Sequence, residues 1–344
     1  MKNRPDRRCL PVTLFRVTAF GERSPTRRQS LTEREAGAEI DHTLYENVPE
    51  WMVRPLGEWL FTVLVIDYPM GGRSNAEARR REKLAQRVLT HHRLATTSSH
   101  TYGWHIVEFA SGIPEVLRVQ VAPVDPLDLV DALVELHYGW PPSAVPPLPS
   151  ETTMWWKSRL IALEEMLSDN GSAWMVDTGL RGLYRRVDRS AVEARREAEA
   201  TARHAGRPTA ADHLATAWRK AYGRNPDPSG SYSSSVLAVE AASCPVVLEK
   251  ATEQGTSIVH AVPNQLRDNP KWRFVLADST STSPGSAHLV ANMVERLYVG
   301  QTQRHDNSNP TRNRPSTSEE ARAAVHLAAT LVQWFSSATV TKQP

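Results

Sequence analysis

From residue 189 to residue 335 apolar side chains return at intervals of three and four. That is the spacing of helices that each bury one face. A chain patterned this way over so long a stretch must pack helix on helix. Residues 190–204 are rich in Ala, Glu and Arg. Thr209 is placed to cap the next helix, which reaches Tyr222 and sets Leu214 and Trp218 four apart. Ser229 opens another, with Tyr232, Val236, Val239 and Glu240, and Pro245 is expected to end it. Residues 256–266 read as helix or strand, and Trp272 as part of a connection. A Ser/Thr tract at 278–283 predicts a flexible loop. Pro284 and Ser286 introduce a helix carrying Leu289, Met293, Leu297 and Tyr298. The last helix runs from about Ser318 to Phe335, with Thr317 or Ser318 as cap and Glu319 and Glu320 favoured by the helix dipole. Leu327, Leu331 and Trp334 form its apolar stripe, and 338–344 is a tail.

The first half is less uniform. Residues 1–30 read as a flexible basic arm. Residues 48–64 predict a helix through Trp51, Leu56, Trp59, Leu60 and Val63, firm from Pro55 onward. Residues 77–93 predict a charged helix with Leu84, Val88 and Leu89 inward. Short strands are expected at 104–109 and 116–121. A helix at 127–138 follows, with Leu129, Leu133 and Leu136 on its apolar side. Five prolines among residues 141–149 forbid helix and predict an extended linker. The helix at 152–168, with Trp155, Ile161, Leu163 and Leu167 apolar, stops at Asn170-Gly171. A small hairpin is expected over 173–187. The fold class is therefore mainly α with a small β hairpin. An N-terminal helical domain at 31–188 precedes a C-terminal helical bundle at 189–337.

Composition excludes several functions. Of 344 residues, 40% are hydrophobic and 23% charged, ordinary for a soluble protein. No apolar run of about 18 residues is present, so no membrane partner is expected. The N-terminus lacks a secretory pattern, which points to the cytoplasm. Two cysteines, Cys9 and Cys244, make neither a disulfide framework nor a thiolate zinc site. Cys244 reads as a buried small hydrophobe. His91-His92 and the pair His100 and His105 lack metal-ligand spacing, and no glycine-rich phosphate loop exists. No metal and no small-molecule cofactor is expected. The ten tryptophans mostly fall on helix stripes, and core packing is the expectation for them.

Net charge is +3, unevenly spread. Residues 1–35 hold nine Lys/Arg against four Asp/Glu, 73–93 seven against two, and 181–224 eleven against five. Residues 94–180 hold three against eleven. Basic blocks that converge would bind phosphate; otherwise they are solvated helix faces.

One set of motifs points further. His213-Leu214-x-x-Ala217-Trp218-x-x-Ala221-Tyr222-Gly223 is followed by Tyr232 and by Val239-Glu240-Ala241. Arg304-His305 comes next, and Glu319-Glu320-Ala321 precedes Val325-His326-Leu327-Ala328 on the closing helix. This third of the chain resembles the HEPN-type helical domain of bacterial abortive-infection proteins. Asn170-Gly171-Ser172-Ala173-Trp174 with its hairpin, and the opening Leu31-Thr32-Glu33-Arg34-Glu35, resemble the N-terminal domain of the AbiJ-like members.

The resemblance implies an antiviral or stress-response effector whose C-terminal domain binds RNA, with cleavage as a further expectation, and a homodimer. HEPN nucleases pair an arginine with a histidine a short spacer away, for metal-free acid–base chemistry on RNA. This sequence departs from that pattern. Arg304 and His305 are adjacent, and Arg322 and His326 leave three residues between them on one helix face. Arg304, His305 and Glu240 are the candidate catalytic residues. His326 is expected to pack or hydrogen-bond within its helix face. The alternative is a non-enzymatic interaction or regulatory module dimerising through the C-terminal bundle.

Overall fold

The computed structural model describes residues 44–64, 75–94, 106, 125–138, 150–176, 182–255, 259–277, 284–301 and 314–343. The expected arm at 1–30, the strand at 116–121, the proline linker at 141–149 and the loop at 278–283 lie outside them. The chain divides into two compact units, Met1–Arg186 and Val187–Pro344. The architecture is mainly α with small β elements.

In the first unit the described helices are α1 (Glu50–Leu64), α2 (Asn75–His91), α3 (Pro126–Tyr138) and α4 (Ser150–Asp169). Strands β1 (Trp174–Val176) and β2 (Leu183–Arg185) pair antiparallel. Leu56, Leu60, Val88, Leu129, Leu133, Leu160 and Leu163 share one buried core. Gly171 ends α4 at φ 66°, a conformation glycine takes without penalty. The hairpin is tied down by two carboxylates. Glu164 accepts from Val176 N at 2.6 Å and from Arg186 Nη1 at 2.8 Å. Asp131 Oδ1 accepts from Leu183 N at 2.5 Å.

Several expectations for this unit need correction. Helix α1 begins at Glu50 and contains Pro55. The proline removes one ladder bond, and the residue left short is Trp51, which is 57% exposed. Trp51 lies off the core stripe, and Met52 takes its place. Ile161 also faces outward, while Trp156 and Leu160 turn in. Ile106, expected in a strand, is buried in a helical conformation.

The second unit is built on α5 (Arg189–His204), α6 (Pro208–Tyr222), α7 (Pro228–Val247) and α11 (Ser318–Ser336). Helix α7 packs on both α6 and α11, and α5 packs on α6 and α11. Small residues allow this closeness: Ala210, Ala211, Ala217, Ala238, Ala242, Ala321 and Ala328 are all buried. Helix α7 is covered nearly all round, so it hides serines as well. Ser234, Ser235 and Ser243 each return a hydroxyl to the carbonyl four residues back, which satisfies them without a partner helix. Short helices α8 (Glu249–Glu253) and α9 (Val262–Asp268) and then α10 (His288–Val299) complete the helical part.

The local signals hold better at some ends than others. Asp188 and Asp227 cap α5 and α7 through their side chains, and Thr317 and Glu320 close a reciprocal capping box on α11. Thr209 caps nothing: α6 starts at Pro208. Pro245 does not end α7 before it, because its ring lies on the exposed side and Leu248 N continues the ladder to Cys244 O at 2.8 Å. Cys244 is buried, as expected.

The faces differ too. On α11 Leu331 is fully buried, as expected, with Ala321, Val325, Ala328, Val332 and Phe335, whereas Leu327 and Trp334 are half-buried. On α10 Leu289 is exposed and Val290 and Val294 are buried.

A second sheet was not expected. Strand β3 (Trp272–Phe274) lies between β4 (Gly285–Ser286) and β5 (Val340–Lys342), antiparallel to both. Trp272 is thus in a strand rather than a connection, and residues 340–342 of the tail pair with it. Strand β5 is far from β3 in sequence, so no short-range pattern announces that pairing.

Candidate functional site

Arg304 and His305 lie outside the described residues. The two flanks of their segment are fixed to the same end of α7. Gln301 Nε2 donates to Ser233 Oγ at 2.8 Å, and Ser229 Oγ accepts from Ser316 N at 3.0 Å. Glu240 is half-buried on the outward stripe of α7 with Ser233 and Leu237. It stands about 10 Å along the helix from Ser233. No hydrogen bond or ion pair joins it to another described residue.

The structure brings together a different set. Trp218 and Tyr222 are four apart on α6, and Arg322 and His326 four apart on α11. Where the helices pack, Tyr222 Oη lies 2.8 Å from His326 Nε2. The imidazole meets the Trp218 ring edge-on at 5.5 Å. Arg322 Cζ lies 5.6 Å from the centre of the Tyr222 ring, a cation–π arrangement. Arg322 Nε is buried without a hydrogen-bond partner among the described residues. Arg195 lies 5.4 Å from the Trp218 ring centre and is ion-paired to Glu199.

Burial sets the protonation here. It raises the Tyr222 pKa, and the Arg322 charge only partly offsets this. The phenol therefore keeps its proton and donates it. Burial also lowers the His326 pKa, so the neutral imidazole accepts at Nε2. The rest of the ring is open to solvent. A half-buried arginine and a histidine titrating below its usual range, joined to a phenol, can hold an anion and exchange a proton.

At least six of the eleven basic residues at 181–224, Arg195 among them, are ion-paired within the chain. Arg185 pairs with Glu46, Arg186 with Glu164, Arg189 with Glu193, Arg203 with Asp212 and Lys220 with Asp227. The net charge of this block therefore overstates what it offers a phosphate backbone. Among the described residues no three His, Cys, Asp or Glu side chains converge as metal ligands. No described helix is long and apolar enough to cross a membrane. No family model, curated protein or solved structure matches the chain.

His326 hydrogen-bonds at its helix face, as the sequence reading expected, but across to Tyr222 rather than along α11. Sequence reasoning missed Tyr222 as a site residue. The available signal was its place four residues after Trp218, which puts it on the buried face that α11 must cover.

Proposed function

We propose that the chain is a cytoplasmic abortive-infection or stress-response effector of the HEPN-like type. In this reading the C-terminal bundle binds RNA, and the Arg304-His305 segment, with Glu240, acts on the bound strand. The observation that supports it is the meeting of Arg322, His326 and Tyr222 where α6 packs on α11. An arginine there supplies a fork of donors to phosphate, and the histidine a proton carrier that titrates below its ordinary range. The chemistry needs no metal: a histidine accepts the 2′-hydroxyl proton while arginine steadies charge on the phosphate.

The test is a titration of the full chain with single-stranded RNA at several salt concentrations. Affinity falls steeply with salt as counterions are released. Arg322→Ala weakens binding by about tenfold, the scale of one lost charge-assisted contact. His305→Ala abolishes any cleavage while leaving binding, and Arg304→Ala lowers both. Absence of binding at low ionic strength rejects the reading. The alternative, a non-enzymatic module dimerising through the bundle, has its own support: Leu237, Leu289 and Val299 are exposed apolar side chains of that unit. Sedimentation of Leu289→Glu against the parent decides that reading.

A further inference from the structure

The C-terminal unit contains a cleft of about 770 Å³, away from Tyr222 in the chain's own elements. Its walls are the end of α7 with α8, the last turn of α11, α9, and the β3–β5 pair. Trp272, Phe335 and Val340 line it and are buried. The volume falls in the range of small-molecule sites.

The cleft is charged in one sense. Arg207, Lys250 and Lys342 line it against a single carboxylate, Glu249. Arg207 Nη1 donates to Phe335 O at 2.8 Å, at the carbonyl end of α11. That contact accounts for one of five N–H donors. Burial lowers the pKa of this guanidinium, yet an arginine keeps its charge in any protein site. None of the three cations is ion-paired to a described residue. Gathering like charges into one cleft is unfavourable unless an anion joins them. Two neutral groups add to the site: Ser336, whose buried Oγ has no hydrogen-bond partner among the described residues, and Asn269.

We propose that this cleft binds a small phosphate-bearing ligand, its phosphate seated among Arg207, Lys250 and Lys342. Three cations against one carboxylate leave two positive charges, which a phosphate dianion balances. The guanidinium offers a planar fork to phosphate oxygens, and the lysines act as point charges. Helix α11 ends and β5 begins at the cleft, so an occupied site ties the last strand to the bundle. The proposal does not rest on the RNA reading, because none of the residues at Tyr222 and His326 lines the cleft.

Calorimetric titration of the full chain with inorganic pyrophosphate and with adenosine 5′-monophosphate tests it, with adenosine as the uncharged control. Both phosphates bind saturably and raise the melting temperature, and adenosine does neither. The double variant Lys250→Ala, Lys342→Ala removes two exposed side chains outside the core. It weakens both phosphates by at least about tenfold, the scale of one lost charge-assisted contact. Arg207→Lys keeps the charge, and weakens binding less than Arg207→Ala. No saturable heat at low ionic strength overturns the proposal. So does adenosine binding as tightly as its monophosphate, or a double variant with unchanged affinity.

Discussion

Tyr222 Oη and His326 Nε2 are 2.8 Å apart across 104 residues of chain. The bond joins the last turn of α6 to the middle of α11. It ties a titrating group to the packing of the bundle, so the protonation of His326 and the stability of the helix pair are linked.

The sign of that linkage follows from the direction of the shift. Burial lowers the folded-state pKa of His326, so the unfolded chain binds its proton more readily. The contribution to stability is complete above about pH 6.5, the ordinary histidine value. It is lost as pH falls toward the folded-state pKa. A nuclear magnetic resonance titration of the His326 ring is expected to give a midpoint below the ordinary value. Tyr222→Phe removes the donor to the neutral ring and moves the midpoint up. A parent midpoint at or above the ordinary value contradicts the arrangement.

Arg195 is fully buried, ion-paired to Glu199 and stacked on Trp218. Arg195→Ala removes the paired guanidinium from a carboxylate whose side chain is only 12% exposed. Breaking one side of a buried pair costs about 3–5 kcal/mol. Arg195→Met with Glu199→Gln, which removes both charges and retains bulk, costs less. Urea unfolding of the two variants orders them; equal stabilities reject the burial argument.

The start of α11 depends on Thr317 and Glu320, each accepting a backbone N–H of the other. Thr317→Ala is expected to cost about 1 kcal/mol, as cap removals do. The side-chain bond from Arg314, then the Thr317 N–H, holds the Glu320 pKa down to about 2. Its stabilising effect is present above the ordinary carboxylate range near 4.3 and fades as pH falls toward 2. Arg314→Ala should bring the Glu320 titration back toward the ordinary value. A carboxylate-resolved titration checks this directly.

Gly300 is required by contact rather than by backbone angle. A Cβ built there falls 2.2 Å from Tyr232 Oη and 3.0 Å from Arg296 O. Gly300→Ala is expected to destabilise by about 1–3 kcal/mol, the range for overpacking. Adding Tyr232→Phe removes the clashing oxygen and restores part of the loss. A double-mutant cycle on thermal unfolding measures that coupling, and an additive result argues against the clash.

The sequence by itself determined the helices and many of their ends. Thr317 acts on an N–H group three residues away, and Gly171 needs only its own φ. Such signals are local, so they survive without knowledge of the fold. The core stripes of α2 and α3 were legible for the same reason, since each has one apolar face and polar residues elsewhere.

Tertiary structure alone decided which face of α11 turns in. Four helices can approach closely only through small side chains. Val325, Ala328, Leu331, Val332 and Phe335 are innermost, and Leu327 and Trp334 stand at the margin. It also decided the second sheet, where Phe274 pairs with Val340 across the length of two helices. The candidate sites share that dependence. Tyr222 meets His326, and Arg207, Lys250 and Lys342 line one cleft, only because separate elements converge. Periodicity reports how one element divides apolar from polar, whereas a site is made by side chains from different elements, whose meeting the packing of the bundle sets.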